Sequence, residues 1–282
     1  MEFKPVKTIS FVNMKGGVGK STLAINVADC LGREHHLKVA LLDVDPQFNA
    51  TQCLIAADDY VAMLQNGVDT VLELFDTTPA PTTSVLRGSA PGAPRPLEGI
   101  KLQSFPTLDL LPGNIDLYRL EMVNGEGREF AIRRFIERNL KPNQYDFVII
   151  DTPPTPSAWM TSALLASDHY IIPVKPDPLS LIGIDLLRGI IERRRSSYNL
   201  DIECLGIVLT LVERPDSIVF ETAKANLRAH DYWKQFLFAP FLSKRVRYAR
   251  DQLTQPYILM TDDHEMKQQL RAIVRKILGE LS

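Results

Sequence analysis

A glycine-rich segment near the amino terminus constrains this chain more than any other feature. Residues 13–22 read NMKGGVGKST and directly follow the apolar, strand-like residues 6–12. Backbone N–H groups can surround a polyphosphate only where side chains do not intrude, and a following helix directs its positive end at the anion. We therefore expect Lys20 to reach the β- and γ-phosphates of a nucleotide and the Ser21 hydroxyl to bind Mg²⁺.

A tight structural turn is the alternative interpretation of this segment, since a Gly-Gly-x-Gly run often forms one. The preceding strand, the Lys-Ser pair and the apolar-periodic residues 23–31 favour a phosphate loop. The loop departs from the general pattern, because Met14 stands where the first glycine is usual and Lys15 is an additional cation. The expected nucleotide contacts are Lys15, Gly16, Gly17, Val18, Gly19, Lys20, Ser21 and Thr22.

The composition is that of an ordinary globular protein. Of the 282 residues, 45% are hydrophobic and 23% charged, and the net charge is −2, so a polyanion site requires a local basic patch. Cys30, Cys53 and Cys204 are widely spaced and form no metal-binding pair, which predicts a reducing cytoplasm. The sequence contains neither a signal-peptide pattern nor an apolar run of about 20 residues, the length that spans a bilayer.

Strand-like and helix-like segments alternate along the chain. The predicted strands, most of them continuously apolar, are residues 8–12, 39–44, 108–111, 147–150, 170–174, 205–209 and 236–238. The predicted helices are residues 21–31, 127–139, 180–195, 217–230 and 263–281. This alternation predicts an α/β fold with a doubly wound, mostly parallel sheet flanked by helices, whose ligands bind beyond the carboxyl ends of the strands.

Residues 77–106 interrupt this alternation. They are rich in Pro, Gly, Ser and Thr, and six of them are prolines. We predict a mobile surface insertion here, and a dedicated recognition loop is the alternative. The sequence has no internal repeat and no sign of a second domain, so residues 1–282 are predicted to form a single domain.

Acidic residues end two of the predicted buried strands. Asp43 and Asp45 follow one apolar run, and Asp151 follows another. A carboxylate at a strand end beside a phosphate loop can bind Mg²⁺, directly or through water, and can orient an attacking water. A helix cap or a turn is the alternative role for a single Asp. Two such strand ends together with the loop favour a site for a nucleoside triphosphate and a metal ion.

Three motifs together resemble the ParA/MinD group of deviant Walker P-loop ATPases, and within it the ParA-type (Soj-like) partition ATPases. They are the loop at residues 15–22, the segment DVDPQFNAT at 43–51 and the segment DTPP at 151–154. Further stretches at residues 108–116, 172–176 and 206–210 agree with the same group. The resemblance extends from about residue 7 to the carboxyl terminus, with residues 77–106 as its main unmatched part.

The resemblance implies an ATPase that uses Mg²⁺ and acts as a homodimer. In this family ATP joins two subunits face to face, so Lys15 is expected to contact the partner's phosphates and Lys20 those of its own subunit. A cation supplied by the partner stabilises transition-state charge only in the dimer, as an arginine finger does. Asp45 is expected to position the attacking water, whereas Asp43 is expected to be structural. The metal ion is expected at Ser21, Asp45 and Asp151.

Two positions depart from the family pattern. Phe48 stands where the family usually has glycine, which predicts a bulkier or less mobile loop after Asp45. Thr210 matches the base-pocket pattern and is expected to contact the nucleotide. The arginine that is usual five residues later is replaced by Pro215, and Arg214 stands one position earlier.

A basic cluster is predicted to bind DNA. Residues 243–250 read SKRVRYAR and stand where ParA-type proteins carry cations near a DNA-facing surface. The resemblance implies non-specific, salt-dependent binding to phosphates through Lys244, Arg245, Arg247 and Arg250. A solvated basic face that balances the acidic residues is the alternative. The phosphate loop begins close to residue 1, so we expect no helix-turn-helix extension and no operator recognition.

A MinD-like membrane-positioning ATPase is the alternative from another functional class. It would need an amphipathic helix that inserts into lipid, and residues 265–281 carry apolar side chains at helical spacing. Such a stripe more often packs on a core, and it lacks aromatic anchors here, so membrane binding is not favoured. An iron–sulfur reductase or a tyrosine kinase would need paired cysteines or a Tyr-rich tail, which the sequence lacks.

The sequence therefore predicts a ParA-like ATPase that is cytoplasmic and associated with the nucleoid. Its ATP-bound dimer is expected to bind DNA and to position a cargo, which could be a plasmid, a chromosome origin or a protein assembly. The resemblance alone implies that a ParB-like protein bound to that cargo stimulates an otherwise slow hydrolysis.

Overall fold

A seven-stranded β-sheet forms the centre of the protein. The computed structural model describes residues 5–76, 96–122, 127–177, 180–251 and 254–281, without the side chains of residues 180–182, 247, 249 and 251. The strands are β1 (Lys7–Phe11), β2 (Val39–Asp43), β3 (Gln103–Ser104), β4 (Asp109–Leu111), β5 (Phe147–Asp151), β6 (His169–Val174) and β7 (Glu203–Leu209). Their order is β3-β4-β2-β5-β1-β6-β7, with β3 antiparallel to β4 at one edge and the other described pairs parallel.

Helices cover both faces of the sheet. They are α1 (Lys20–His35), α2 (Asn49–Leu54), α3 (Ala57–Gln65), α4 (Leu72–Phe75), α5 (Leu117–Glu121), α6 (Ala131–Phe135), α7 (Ala158–Ala166), α8 (Ser180–Tyr198), α9 (Ile218–Ala229), α10 (Val246–Asp251) and α11 (His264–Glu280). On one face, Leu23 of α1 and Ile273 of α11 pack in the same core as Ile9 of β1. On the other, Trp159 of α7 packs in a core with Leu42 of β2. The predicted doubly wound α/β fold is confirmed.

The continuously apolar runs form strands, and six of the seven predicted strands are confirmed. β2 and β5 are buried along their whole length, as strands between two helical layers must be. The prediction of a strand at residues 236–238 is wrong, because Leu237 makes one isolated bridge to Ile207. Pro240 follows closely and has no N–H to extend a ladder. The ring of Phe238 instead packs on Gly206, where a Cβ would lie 2.0 Å from Phe238 Cε1.

Four of the five predicted helices are present as regular helices, and the short helices α4, α5, α7 and α10 were not predicted. Residues 127–139 do not form one regular helix: a 3₁₀ turn at 128–130 leads into α6, and a π-helical turn follows at 136–140. The sequence did not predict α2 or α3, which lie directly after the Asp45 loop. These helices are too short for the spacing of their apolar residues to give a clear helical pattern. Helices of this length depend on tertiary contacts for their stability.

The segment at residues 77–106, predicted to be an insertion, is part of the fold at its carboxyl-terminal end. Residues 77–95 lie outside the described residues. Residues 103–104 form the edge strand β3, which pairs with β4. Ile100 is buried, and the Asn139 amide donates to its carbonyl at 2.9 Å. Only the part before residue 96 therefore remains a candidate insertion.

The helix α1 packs unusually closely on the segment before β4. A Cβ on Gly32 would lie 1.8 Å from the carbonyl oxygen of Thr107, a distance that backbone cannot accommodate. The Thr107 hydroxyl in turn donates to the buried Asp29 carboxylate at 2.6 Å, which fixes the two elements together. Only glycine therefore allows this approach at position 32.

The variant Gly32→Ala is expected to lower the free energy of unfolding by about 3 kcal/mol, because the added methyl group must push the backbone at Thr107 away from α1. Gly189→Ala on α8 is the matched control, since no atom lies within 4 Å of the added Cβ. Alanine in a helix interior should stabilise that control by about 0.5–1 kcal/mol. Urea unfolding measures both variants, and equal stability of the two would contradict this packing account.

The apolar stripe of α11 is buried against the core. Leu270, Ile273, Val274 and Ile277 have no exposed surface and pack in the cluster that contains α1. The face that a lipid-inserting helix would need is therefore covered. Within the described part of the chain, no helix is both long enough and apolar enough to cross a membrane.

Candidate nucleotide site

The glycine-rich loop connects β1 to α1 at the carboxyl end of the sheet, as the sequence predicts. Gly17 and Gly19 have φ angles of 68° and 80°, in the left-handed region where glycine is unstrained. Gly19 is the residue that caps the amino end of α1, and that end points its free N–H groups into the loop. The backbone therefore has the shape and polarity that a phosphate group requires.

Buried hydrogen bonds brace this loop from below. The Asn13 side chain donates to the Pro173 carbonyl at 2.7 Å and accepts from the Lys15 amide at 2.8 Å. The Thr210 hydroxyl donates to the Val18 carbonyl at 2.6 Å, and its side chain is fully buried. Thr210 therefore supports the loop from beneath. Its predicted contact with the nucleotide stays a prediction.

Lys20 is buried at the start of α1, with only 7% of its surface exposed. Burial lowers the pKa of its ammonium group, and the nearby carboxylates of Asp151 and Asp45 oppose that shift. A buried ammonium group costs free energy unless it is paired with negative charge. The carboxylates of Asp151 and Asp45 can neutralise the Lys20 ammonium group, and so can a bound polyphosphate.

Asp151 ends β5 beside the loop, in register with Phe11 of β1 and Asp43 of β2. It is fully buried, and neither carboxylate oxygen makes a hydrogen bond of normal geometry. Burial raises its pKa to about 7, while the Ser21 hydroxyl and the Lys20 ammonium group act in the opposite direction. Buried carboxylate oxygens without partners are suitable ligands for a hard cation such as Mg²⁺. The residues present therefore fit the expected metal ion.

Asp43, the last residue of β2, and Asp45, just beyond it, have different environments. Asp45 is 4% exposed, and its carboxylate accepts a hydrogen bond from the Gln47 amide at 2.9 Å, while burial raises its pKa. Asp43 is fully buried and accepts from both the amide and the hydroxyl of Thr51, at 2.8 and 2.7 Å. Burial and the Asp151 charge raise the pKa of Asp43. Asp43 thus fastens α2 to the sheet, in agreement with its predicted structural role.

These elements enclose an open cleft of about 550 Å³. The cleft is lined by the predicted loop residues Gly16, Gly17, Val18, Gly19, Lys20, Ser21 and Thr22 together with Asp45. Sequence reasoning missed the other lining residues, which are Gln47, Asn49, Gln52, Cys53, Pro154 and Leu211. Four of the six lie on or next to α2, so recognising that helix would have found them. No cluster of three or more His, Cys, Asp or Glu side chains suited to a metal occurs in the described ranges.

Lys15 does not line this cleft. Its side chain is 44% exposed and forms an ion pair with Asp177, which follows β6. Lys20 and Lys15 therefore lie five residues apart but differ in exposure: the first is buried in the cleft, and the second lies at the surface.

The predicted DNA-binding cluster is partly neutralised by carboxylates. Lys244 pairs with Glu213 at 2.7 Å, and Arg245 pairs with both Asp263 and Glu265. Arg250 is exposed at the carboxyl end of α10, whereas the side chain of Arg247 lies outside the description. Among the described side chains of this cluster, the structure therefore shows Lys244 and Arg245 in ion pairs, and binding to DNA stays a prediction.

Asp151 should give the nucleotide-free protein a characteristic dependence on pH. Its raised pKa means that protonation favours the folded state, so its contribution to stability is lost as the pH rises from about 4 to about 7. Asp151→Asn removes this titration and should stabilise the protein above pH 7 relative to wild type. Urea unfolding in EDTA at several pH values measures the difference, with the exposed Asp59→Asn as control. Parallel pH profiles for wild type and Asp151→Asn would contradict the burial argument.

A parallel sheet with a phosphate loop after β1 and acidic residues after β2 and β5 defines the class of P-loop NTPases. A family model described as an AAA domain matches residues 6–204. The chain is 31% identical to the chromosome partitioning protein ParA of Caulobacter vibrioides, over 82% of this chain and 78% of the relative. It is also 31% identical to the chromosome-partitioning ATPase Soj of Thermus thermophilus, over 86% and 84%. The protein therefore belongs to the ParA/MinD family of deviant Walker P-loop ATPases.

A solved structure supports the fold assignment over nearly the whole chain. The crystal structure of a plasmid partition protein from Borrelia burgdorferi B31, bound to AMPPNP, superposes with a TM-score of 0.75 at 20% identity. The match covers 98% of this chain and 100% of that one. At this level of identity the similarity establishes the fold.

Proposed function

We propose that this protein is a ParA-like ATPase that binds ATP with Mg²⁺ and forms a dimer in which two nucleotides lie between the subunits. The ATP-bound dimer binds DNA without sequence preference and positions a cargo in the cytoplasm, over the nucleoid. A ParB-like protein on the cargo stimulates an otherwise slow hydrolysis. The observation that carries this proposal is the division between Lys20, buried in the cleft, and Lys15, exposed beside it.

Within one subunit, the chain supplies binding and orientation. Lys20 holds the β- and γ-phosphates, because its buried ammonium group is available to an anion at the amino end of α1. The Ser21 hydroxyl and the buried carboxylate of Asp151 would hold the magnesium ion, which would neutralise charge on the phosphates. Asp45 lies in the cleft, where its carboxylate orients the attacking water and contributes to the metal shell.

Lys15 completes the site of the partner subunit. Its side chain lies outside the cleft of its own subunit, which supports a contact with the phosphates of a second subunit that faces the same surface. The charge that develops on the transferred phosphoryl group is then stabilised only in the dimer. Its ion pair with Asp177 joins an exposed lysine to a half-buried carboxylate, and a pair at the surface contributes little, so exchanging Asp177 for a phosphate is energetically accessible.

The DNA interaction is expected to be electrostatic. With an ATP analogue bound, affinity for a duplex of arbitrary sequence should fall about a hundredfold as the salt concentration rises from about 50 to 200 mM, because each bound phosphate releases counterions. Lys244→Ala should weaken binding to DNA. The slope of the logarithm of the binding constant against the logarithm of the salt concentration should become shallower by about 1 for each subunit in contact. Arg133→Ala is the control. Arg133 lines a different cavity, near the amino end of β1 and away from the nucleotide cleft.

Fluorescence anisotropy with labelled duplex measures these affinities with ATP analogue and with ADP. Undiminished binding at high salt, or no binding at low salt with the ATP analogue, would contradict the DNA proposal. Co-sedimentation with anionic liposomes is the companion measurement, and membrane binding without DNA binding would favour the MinD-like function. The buried apolar face of α11 supports DNA as the surface on which the protein acts.

A further inference from the structure

The loop between β2 and α2 contains a residue in an unfavourable backbone conformation. Phe48 has φ 42° and ψ 42°, in the left-handed region that residues other than Gly, Asn and Asp rarely adopt. Its amide donates to the carbonyl of Asp45 at 2.8 Å, so this turn closes directly on the aspartate in the cleft. Such a conformation persists only where surrounding contacts determine it.

Two neighbouring elements supply those contacts. The Phe48 ring stacks on the ring of Tyr60 from α3, with centroids 5.0 Å apart and planes inclined by 17°. The Tyr60 hydroxyl donates to the carbonyl of Gly113 at 2.8 Å. A Cβ on Gly113 would lie 2.6 Å from the Cβ of Phe48, so glycine at this position makes room for the phenylalanine. We call Phe48, Tyr60 and Gly113 the Phe48 anchor.

The far end of the same loop is fixed separately. The Gly113 amide donates to the Thr51 hydroxyl at 2.8 Å, and that hydroxyl donates to Asp43 at 2.7 Å. The loop is therefore held to the segment after β4 both in its middle, through the anchor, and at the start of α2. Gln47 and Asn49, the two neighbours of Phe48 in the chain, line the nucleotide cleft.

We propose that Phe48 is a positioning residue that keeps the Asp45 loop in its cleft-lining conformation before nucleotide binds. The inference rests on the proposed ATPase function. A glycine here would allow many conformations of the loop, whereas the stacked ring selects one. The phosphate loop and Lys20 are not part of the anchor, so the anchor affects the rate of hydrolysis through Asp45 and leaves nucleotide affinity unchanged.

Amide hydrogen exchange of the nucleotide-free protein tests the positioning directly. Phe48→Gly, which relieves the backbone and removes the ring, should accelerate exchange at residues 47–52 about tenfold. It should also lower kcat about fivefold, while the KM for ATP and the Kd for ADP stay within about twofold. Phe48→Tyr retains the ring and should restore both properties. Tyr60→Leu removes the stacking partner from the other side and should reproduce Phe48→Gly.

Unchanged exchange in both Phe48→Gly and Tyr60→Leu would overturn the inference, as would a rise in the Kd for ADP that matches the fall in turnover. The exchange measurement needs no catalysis. If the wild-type protein hydrolyses no ATP, the proposed function fails, and exchange still decides whether the anchor holds the loop. If hydrolysis is present and exchange is unaffected, the inference about Phe48 fails alone.

Discussion

Replacing Lys15 by alanine should reduce ATP turnover about a thousandfold, the range expected for loss of a cation supplied by a partner subunit. Affinity for ADP should stay within about twofold, because the Lys15 side chain lies outside the cleft of its own subunit. Steady-state phosphate release and titration with a fluorescent ADP analogue measure the two quantities. The combination separates a residue that acts only in the dimer from one that binds nucleotide.

Asp177→Asn is the matched control for that variant. It breaks the same ion pair but leaves the Lys15 cation in place. Turnover should therefore remain within about threefold of wild type, the scale of an exposed ion pair. Equal losses in Lys15→Ala and Asp177→Asn would show that the pair matters as a local structural contact, and would contradict a role for Lys15 across the dimer.

Replacing Lys20 by alanine should weaken nucleotide binding itself. Loss of a charge-assisted contact to phosphate corresponds to about 1.5–3 kcal/mol, or about a tenfold to hundredfold rise in the Kd for ATP. Turnover should fall as well, because the same ammonium group stabilises the transferred phosphoryl group. Isothermal titration with a non-hydrolysable ATP analogue measures the affinity.

Lys38→Ala is the control for Lys20, since Lys38 lies at the amino end of β2 and donates to the Asn143 carbonyl. Removing a surface lysine there should leave affinity for the analogue unchanged. The assignment of Lys20 to phosphate binding would be contradicted if Lys20→Ala bound the analogue as tightly as wild type in a folded protein. Circular dichroism on the same samples establishes whether the variant is folded.

The phosphate loop and its acidic partners could be predicted because local patterns encode them. Glycines that require positive φ, a Lys-Ser pair and aspartates after apolar strands can be recognised without knowing what else they touch. Their convergence then follows from the parallel sheet, since the carboxyl ends of its strands meet at one edge. The different roles of Asp43 and Asp45 were also predicted, from the position of Asp43 at the strand end. The hydrogen bonds from Thr51 to Asp43 give the physical reason for its structural role.

What the sequence did not predict depends on long-range contacts. The departure at Phe48 was visible, but the stacking on Tyr60 and the close approach of Gly113 required the fold. The ion pairs of Lys244 and Arg245 likewise join positions distant in the chain, so a cluster that appears free in the sequence is partly neutralised. The prediction of a strand at residues 236–238 was wrong for the same reason, because the apolar ring of Phe238 packs on Gly206, which is distant in the chain.

A mixing experiment tests the central claim, that a second subunit completes the active site. Lys15→Ala and Asp45→Ala should each be inactive alone. In a mixed dimer, the Lys15→Ala subunit keeps its own Asp45 and receives Lys15 from its partner, so one site is restored. Equal amounts of the two variants should therefore recover about a quarter of wild-type turnover, since half of the dimers are mixed and each has one working site. A mixture as inactive as its components would contradict the claim.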